Sequence, residues 1–169
     1  MILRRASLAS VVAVASLALS ACGFHLRREA QLPASMQRVH IDIADPASAL
    51  ARGLARALPR SGVQLVDDAT GVAVIRIGAN TLSTDVLSVG GNARATEYTL
   101  RYHVEFEVRD ANGESYIAPQ TIELTRDFTF DARQSLGVAA QIDLLSTELQ
   151  QDMVQAVLRR VEARAQAAP

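Results

Sequence analysis

Cysteine is almost absent from this sequence, and its scarcity excludes two kinds of structure. Among 169 residues there is one cysteine, Cys22. A single thiol forms no disulfide within the chain and supplies no thiolate metal site. We therefore expect a fold that is held together by packing and non-covalent contacts alone.

Long hydrophobic segments are lacking as well. The most extended apolar stretch covers residues 6–19 and is interrupted only by serines. It is shorter than the roughly 20 residues that a helix needs to cross the ~30 Å core of a bilayer. No later apolar run approaches that length, so we predict no membrane-spanning helix.

Recognisable catalytic groupings are missing too. The three histidines, His25, His40 and His103, have no second ligand at the helical spacing of a metal site. The Gly-x-Ser-x-Gly turn of hydrolases is absent, and no glycine-rich phosphate loop precedes a helix. We predict that the protein is not an enzyme and uses no metal or cofactor, and we interpret the histidines as solvated polar residues.

The N-terminus, in contrast, has the layout of a bacterial export signal. Arg4 and Arg5 precede the apolar stretch, and Leu-Ser-Ala-Cys stands at residues 19–22. This tetrapeptide matches the lipobox of bacterial lipoproteins. We predict a signal peptide over residues 1–21 and an N-acyl, S-diacylglycerol cysteine at Cys22. The alternative is an ordinary secretory signal with a coincidental cysteine.

The residue after the cysteine favours one destination. Position 23 is Gly, whereas Asp at this position retains enterobacterial lipoproteins at the inner membrane. Two or more acyl chains anchor a protein stably. We therefore expect lipid attachment to the outer membrane, with residues 22–37, which include Pro33, as an extended tether.

Lysine is absent, so all 17 basic residues other than histidine are arginines, against 18 acidic residues. Removal of the signal peptide takes away Arg4 and Arg5 and leaves a slightly acidic chain. A chain with this balance does not have the electrostatic footprint of a nucleic-acid-binding protein. We read the preference for arginine as the effect of a GC-rich genome.

Hydrophobic periodicity predicts the secondary structure. Residues 97–108 alternate strictly between polar and apolar, as is typical of a strand. Shorter strands are predicted at 39–43, at 63–66 with 72–77 as one interrupted return strand, and at 121–130. Turns are predicted at 83–93 and at Asn112-Gly113. Helical spacing predicts one helix that begins at Asp45-Pro46 and another from about Ser135.

These elements follow the order β-α-β-β-β-α. Each helix has one apolar side and each long strand one apolar face, so two layers are the simplest arrangement that buries them. We predict an α+β two-layer sandwich, with two helices packed on one face of a mixed four-stranded sheet. This single domain is expected over residues 38–165, followed by a tail at 166–169.

Two residues of the long strands are candidates for structural or partner-facing roles. Arg126 falls in phase with the apolar face of the last strand. Because a buried guanidinium needs polar partners, we expect a bulge or a position at the sheet margin. Tyr98, at the start of the strictly alternating strand, is the second candidate. The opposite face, rich in Thr, Glu and Arg, either meets water or binds a polar partner.

Several short motifs follow one another along nearly all of the chain after residue 21. They are Cys-Gly-Phe-His-Leu-Arg at 22–27, Pro33, Asp45-Pro46, Gly62-Val63, Glu97-Tyr98, Arg126 with Phe128 and Asp131, and Glu148, Leu149, Met153 and Leu158-Arg159-Arg160. With these motifs in this order, the chain resembles the LPS-assembly lipoprotein (LptE) family.

The resemblance implies the same two-layer fold and a specific role. Members of this family act as plugs inside the outer-membrane β-barrel LptD, help to assemble it, and assist the insertion of lipopolysaccharide into the outer leaflet. Large barrels have polar interiors, which would suit the polar sheet face. The family is also thought to bind lipopolysaccharide, whose phosphates favour arginine. Arg94 and Arg133 are our candidate contacts, with solvated loop arginines as the alternative.

Two other functions remain open at this point. One is an auxiliary lipoprotein of a different envelope lipid-transport system, which would have a similar anchor and fold. The other is a lipid-anchored hydrolase, for which the sequence offers no nucleophile in a recognisable setting.

Overall fold

A computed structural model describes residues 34–89, 95–129 and 135–167. Besides two short 3-10 helices, Ala34–Met36 and Leu58–Ser61, this part of the chain has two α-helices and five β-strands. In chain order they are β1 (Arg38–Ile43), α1 (Ala49–Ala57), β2 (Gln64–Leu65), β3 (Ala73–Val89), β4 (Ala95–Arg109), β5 (Ser115–Thr129) and α2 (Ser135–Ala167).

The first helix begins later than the sequence indicated. Asp45 forms a turn before the helix, in which its carboxylate accepts a hydrogen bond from the Ala47 amide at 2.9 Å. Ser48 is the N-terminal cap, and its hydroxyl accepts from the Ala51 amide at 3.2 Å. The prediction that the helix begins at Asp45-Pro46 was wrong, because Ser48 caps the first turn and the helix begins at Ala49.

The sheet has five strands in the order β2-β1-β3-β4-β5. β1 is parallel to both β2 and β3, and β3, β4 and β5 are antiparallel neighbours. The prediction of a mixed α+β sheet with two helices is confirmed, but the number of four strands was wrong. Residues 63–66 and 72–77 do not form one interrupted strand, because the turn at 67–71 carries the chain from one side of β1 to the other.

The third strand is much longer than predicted. Residues 83–89 continue β3 and pair with β4, for example Val86 with Tyr98. The expectation of a turn from residue 83 was therefore wrong up to residue 89, and residues 90–93 of that turn lie outside the described residues. Register shifts between Ile77 and Ala79 and between Val86 and Ser88 break the alternation on which the sequence pattern depends.

The hairpin between β4 and β5 is confirmed. Gly113 has a φ of 82°, and its amide donates to the Asp110 carbonyl at 3.0 Å. β5 begins at Ser115 instead of residue 121, and Pro119 lies within this edge strand, next to a register shift opposite Phe106 and Val108. Proline is tolerated there because an edge strand can lose an amide donor.

Both helices contribute to one hydrophobic core with the apolar face of the sheet. α1 and α2 contact each other, and α2 packs on β4 and β5. The largest fully buried side chains are Met36, Leu50, Leu54, Leu58, Ile75, Leu100, Leu149 and Met153, with the valines 39, 104, 108 and 157. The described helices include none long and apolar enough to cross a membrane.

Candidate functional site

The two faces of β4 differ sharply in chemistry. Every second residue, such as Leu100 and Val104, is buried under the helices. The intervening residues face away from the helices together with their cross-strand neighbours in β1, β3 and β5. We call this surface the outer face; its β4 members are Glu97, Thr99, Arg101, His103, Glu105 and Glu107.

Arg101 joins three strands at the centre of the outer face. Its Nε lies 3.0 Å from an Asp85 carboxylate oxygen of β3, and its Nη1 lies 2.5 Å from Glu123 of β5. The hydrogen bond to Asp85 and the charge of Glu123 raise the pKa of the guanidinium above its usual value. Arg101 therefore stays charged between the carboxylates of Asp85 and Glu123.

Arg76 plays the same part nearer to β1. Its Nε lies 2.8 Å from Asp42 of β1, and its Nη1 lies 3.4 Å from Glu107 of β4. The hydrogen bond to Asp42 is the main cause of the raised pKa of Arg76. Together with Arg101, these pairs connect β1, β3, β4 and β5 by charge across the whole outer face.

Other polar groups of the outer face also have partners. The Thr99 hydroxyl donates to an Asp127 carboxylate oxygen at 2.6 Å. His103 Nε2 lies 3.3 Å from Glu105. His40 is half-buried, and its Nδ1 lies 3.1 Å from the Val66 carbonyl oxygen, so the interpretation of His40 as a solvated residue was wrong. The described residues include no cluster of three metal-ligating side chains.

The outer face has the chemistry of a hydrogen-bonding surface. The charged groups are bound to one another across strands, so the face presents a dense array of hydrogen-bonding atoms on a flat support. A polar partner surface can form hydrogen bonds with this face at little cost, because few buried polar groups would be left without a partner.

An apolar surface lies at the end of the sheet where β3 passes into β4. Tyr98 stacks on Phe128 with ring centroids 5.4 Å apart and planes inclined by 15°. Near this pair, Val86 and Leu87 are 57% and 59% exposed. Tyr98, one of the candidate residues, therefore packs on the helix side at the margin of the core.

The candidate lipopolysaccharide contacts, Arg94 and Arg133, lie outside the described residues. The elements that flank them do define their setting. β3 ends and β4 begins at the same end of the sheet where β5 ends, since Val89 pairs with Ala95 and Glu97 with Thr129. Both connecting segments therefore start from this end. Cys22 and the predicted tether up to residue 33 also lie outside the described residues.

Arg126 lies where its sequence context suggested, at the margin of the sheet. It belongs to the edge strand β5, and its side chain remains 40% exposed. On the helix side, its Nη2 lies 2.5 Å from Asp152 of α2, and its Nη1 donates to the Thr125 carbonyl at 2.9 Å. Arg126 thus bridges sheet and helix without full burial.

Comparison with known proteins assigns this fold to a family. The sequence model of the LptE lipopolysaccharide-assembly family matches residues 36–161. The chain belongs to the LptE family. This match covers every described strand and most of α2.

Individual LptE relatives agree with this assignment. The LPS-assembly lipoprotein LptE of Pectobacterium atrosepticum is 28% identical over 153 residues, which cover 89% of this chain and 82% of that protein. That of Yersinia pestis is 27% identical over 161 residues, covering 94% and 77%.

Solved structures show the same fold. Lipoprotein B of Nitrosomonas europaea superposes with a TM-score of 0.71 at 31% identity, covering 83% of this chain and 91% of that one. The rare lipoprotein B of Shewanella oneidensis gives a TM-score of 0.66 at 28% identity, covering 75% and 94%. The resemblance read from the sequence is therefore confirmed, and this LptE-family chain is an envelope lipoprotein of lipopolysaccharide assembly.

Proposed function

We propose that this LptE-family protein is attached to the outer membrane by the lipids on Cys22 and works as a plug inside the β-barrel LptD. There it helps to assemble the barrel and assists the insertion of lipopolysaccharide into the outer leaflet. The family match over the folded body is the observation that carries this proposal. We further propose that it acts by binding, without catalysis.

The outer face supports the plug role. The interior of a large outer-membrane barrel is polar, and a body that fills it must meet hydrogen-bonding groups with hydrogen-bonding groups. β3 and β4, the strands that carry Arg76 and Arg101, offer such groups on the outer face.

The apolar end of the sheet supports contact with lipopolysaccharide. Exposed Val86 and Leu87 suit acyl chains. Arg94 and Arg133 belong to the two segments that start from this end, and arginine pairs with phosphate in a bidentate geometry. Apolar side chains and arginines are the two chemistries that a phosphorylated lipid requires.

Recovery of the partner tests the plug role. The tagged lipoprotein is purified from outer membranes, and its main companion is identified. We expect LptD with the wild type and reduced recovery with Arg101→Glu, whereas Arg56→Glu on the exposed side of α1 serves as the matched charge reversal. Recovery of an inner-membrane transporter instead would favour a different lipid-transport system. Normal surface lipopolysaccharide after depletion of the protein would refute the proposed function.

The lipid contact is tested separately. The double variant Arg94→Glu/Arg133→Glu should lose binding to purified lipopolysaccharide, whereas Arg52→Glu/Arg56→Glu, with the same change of charge on α1, should retain it. Unchanged binding of the first variant removes both residues as contacts. Mass analysis of the purified chain checks the anchor, since an unmodified Cys22 contradicts it.

A further inference from the structure

The sheet is incomplete along one side of β1. β2 pairs only with Arg38 and Val39, and the last bond of this pairing joins the Val66 amide to the Val39 carbonyl at 3.0 Å. The Val66 carbonyl is occupied by His40. Among the described residues, no strand continues past Val66 beside the rest of β1.

The open part of this edge exposes backbone groups. Alternate residues of a strand direct their N–H and C=O groups to the same neighbour. Val39 bonds to the β2 side, so Ile41 and Ile43 direct theirs to the same side, where the pairing has ended. An edge with free donors and acceptors is a template for a further strand.

An apolar groove accompanies this edge. It has a volume of about 230 Å³ and lies between β1, β2 and α1. Its apolar lining includes Ile41, Ile43, Pro46, Ala51, Ala55 and Leu65. Asp67 also lines the groove, and the half-exposed carboxylate of Asp42 lies on the opposite face of β1. A strand edge with unpaired backbone groups, next to pockets for alternate side chains, is the arrangement that binds extended peptides by strand addition.

We infer that the occupant is the chain's own segment Phe24–Arg27. In this segment Phe24 and Leu26 alternate with His25 and Arg27. In a strand the two apolar side chains share one face and the two basic ones the other. Phe24 and Leu26 therefore enter the groove under α1, and His25 and Arg27 lie on the opposite face, on the side of Asp42.

The chain is long enough for this arrangement. Residues 28–33 separate the segment from Ala34, where the described fold begins. The seven Cα–Cα steps from Arg27 to Ala34 span up to about 24 Å when extended. Ile41 lies about 10 Å along β1 from Arg38, at three residues of strand rise, and the 3-10 helix Ala34–Met36 with residue 37 adds up to about 10 Å between Ala34 and Arg38. A nearly extended linker can therefore pass the two-residue strand β2 and bring Arg27 to Ile41.

The added strand fixes the point at which the anchor leaves the protein. Without it, the length of residues 22–33 would allow the anchor to lie up to about 40 Å from the fold. With Phe24 held in the groove, only Gly23 separates Cys22 from the body. The lipids then emerge beside α1 and β1, and the orientation of the sheet relative to the membrane is set by the fold.

Hydrogen exchange on the full mature chain in detergent micelles tests this inference. The Ile41 and Ile43 amides are expected to exchange about tenfold more slowly in the wild type than in Phe24→Asp/Leu26→Asp. The matched control, Ala30→Asp/Gln31→Asp, makes the same change of charge in the tether outside the segment and should keep the wild-type rate. Equal exchange in all three proteins overturns the inference.

A crosslink identifies the occupant. Leu26→Cys combined with Ala55→Cys should give a disulfide within one chain, whereas Leu26→Cys combined with Ser115→Cys, across the sheet, should not. A crosslink between two copies, or protection of Ile41 and Ile43 that requires added LptD, assigns the groove to another occupant and refutes the inference. These readouts use the isolated chain, so they stand or fall independently of the plug role.

Discussion

Gly53 of α1 lies directly against Val154 of α2, so closely that a β-carbon at position 53 would overlap the Val154 Cγ2 methyl group. Val154 is buried and β-branched, which leaves it few rotamers within a helix. The absence of a side chain at position 53 therefore sets how closely the two helices approach.

Gly53→Ala is expected to destabilise the protein although alanine is the better helix former. Overpacking costs about 1–3 kcal/mol, and the gain in helix propensity offsets about 1 kcal/mol of this. Chemical denaturation should show a lower free energy of unfolding. In a Val154→Ala background, the same substitution should cost little or become favourable. A loss of equal size in both backgrounds would show that the helix contact is not the cause.

Tyr102 makes the stability of the fold depend on pH in the alkaline range. Its hydroxyl donates to Asn80 Oδ1 at 2.6 Å, and burial raises its pKa to about 12. In the unfolded chain a tyrosine ionises near pH 10. Its contribution to stability is therefore fully present below pH 10 and is lost as the pH rises towards 12.

The comparison with Tyr102→Phe measures this effect. The difference in unfolding free energy between the two proteins should shrink between pH 10 and 12. Tyr116, whose pKa is also raised by burial, is present in both proteins and cancels. A constant difference over this range would contradict the assignment to Tyr102.

The ion pair between Arg126 and Asp152 should contribute little to stability. Both side chains are about half exposed, and pairs of this kind are worth about 0–1 kcal/mol. A double-mutant cycle with Arg126→Ala and Asp152→Ala should give a coupling in this range that decreases with added salt. A coupling of several kcal/mol would indicate a structural role, whereas a small one leaves Arg126 available for a partner.

The stack of Tyr98 on Phe128 should be measurable in the same way. Phe128 is buried, and its truncation to alanine should cost about 3–5 kcal/mol. A cycle with Tyr98→Leu and Phe128→Leu is expected to show a coupling of about 0.5–1.5 kcal/mol. Additive losses would mean that the two rings fill space independently.

The sequence predicts those parts of the fold where one pattern repeats without interruption. β4 alternates strictly, and α2 repeats its apolar residues at helical spacing, so both are predicted well. β3 is not, because its register shifts at Ala79 and Ser88 break the alternation. The sequence predicts strand at 63–66, but the two residues of β2 are too few to show that it lies on the other side of β1 from β3.

The sequence predicts which residues the outer face contains, but not which of them form ion pairs. Alternation indicates that Arg101 and Glu123 both belong to polar faces. Their contact depends on the register between β4 and β5, which shifts near the hairpin. The same holds for Arg76 and Asp42, which are 34 residues apart in the chain. The marginal position of Arg126 was foreseen because an unpaired buried guanidinium is too costly.

Pro119 has a consequence for self-association. Polymerisation by pairing between the edge strands of neighbouring copies requires two edges that can accept a further strand, one at each end of the strand order. On β5 the proline and the alternating charges of Glu123, Arg126 and Asp127 obstruct one of them. Copies of this chain therefore lack the second contact that a growing fibre needs, which disfavours edge-to-edge aggregation.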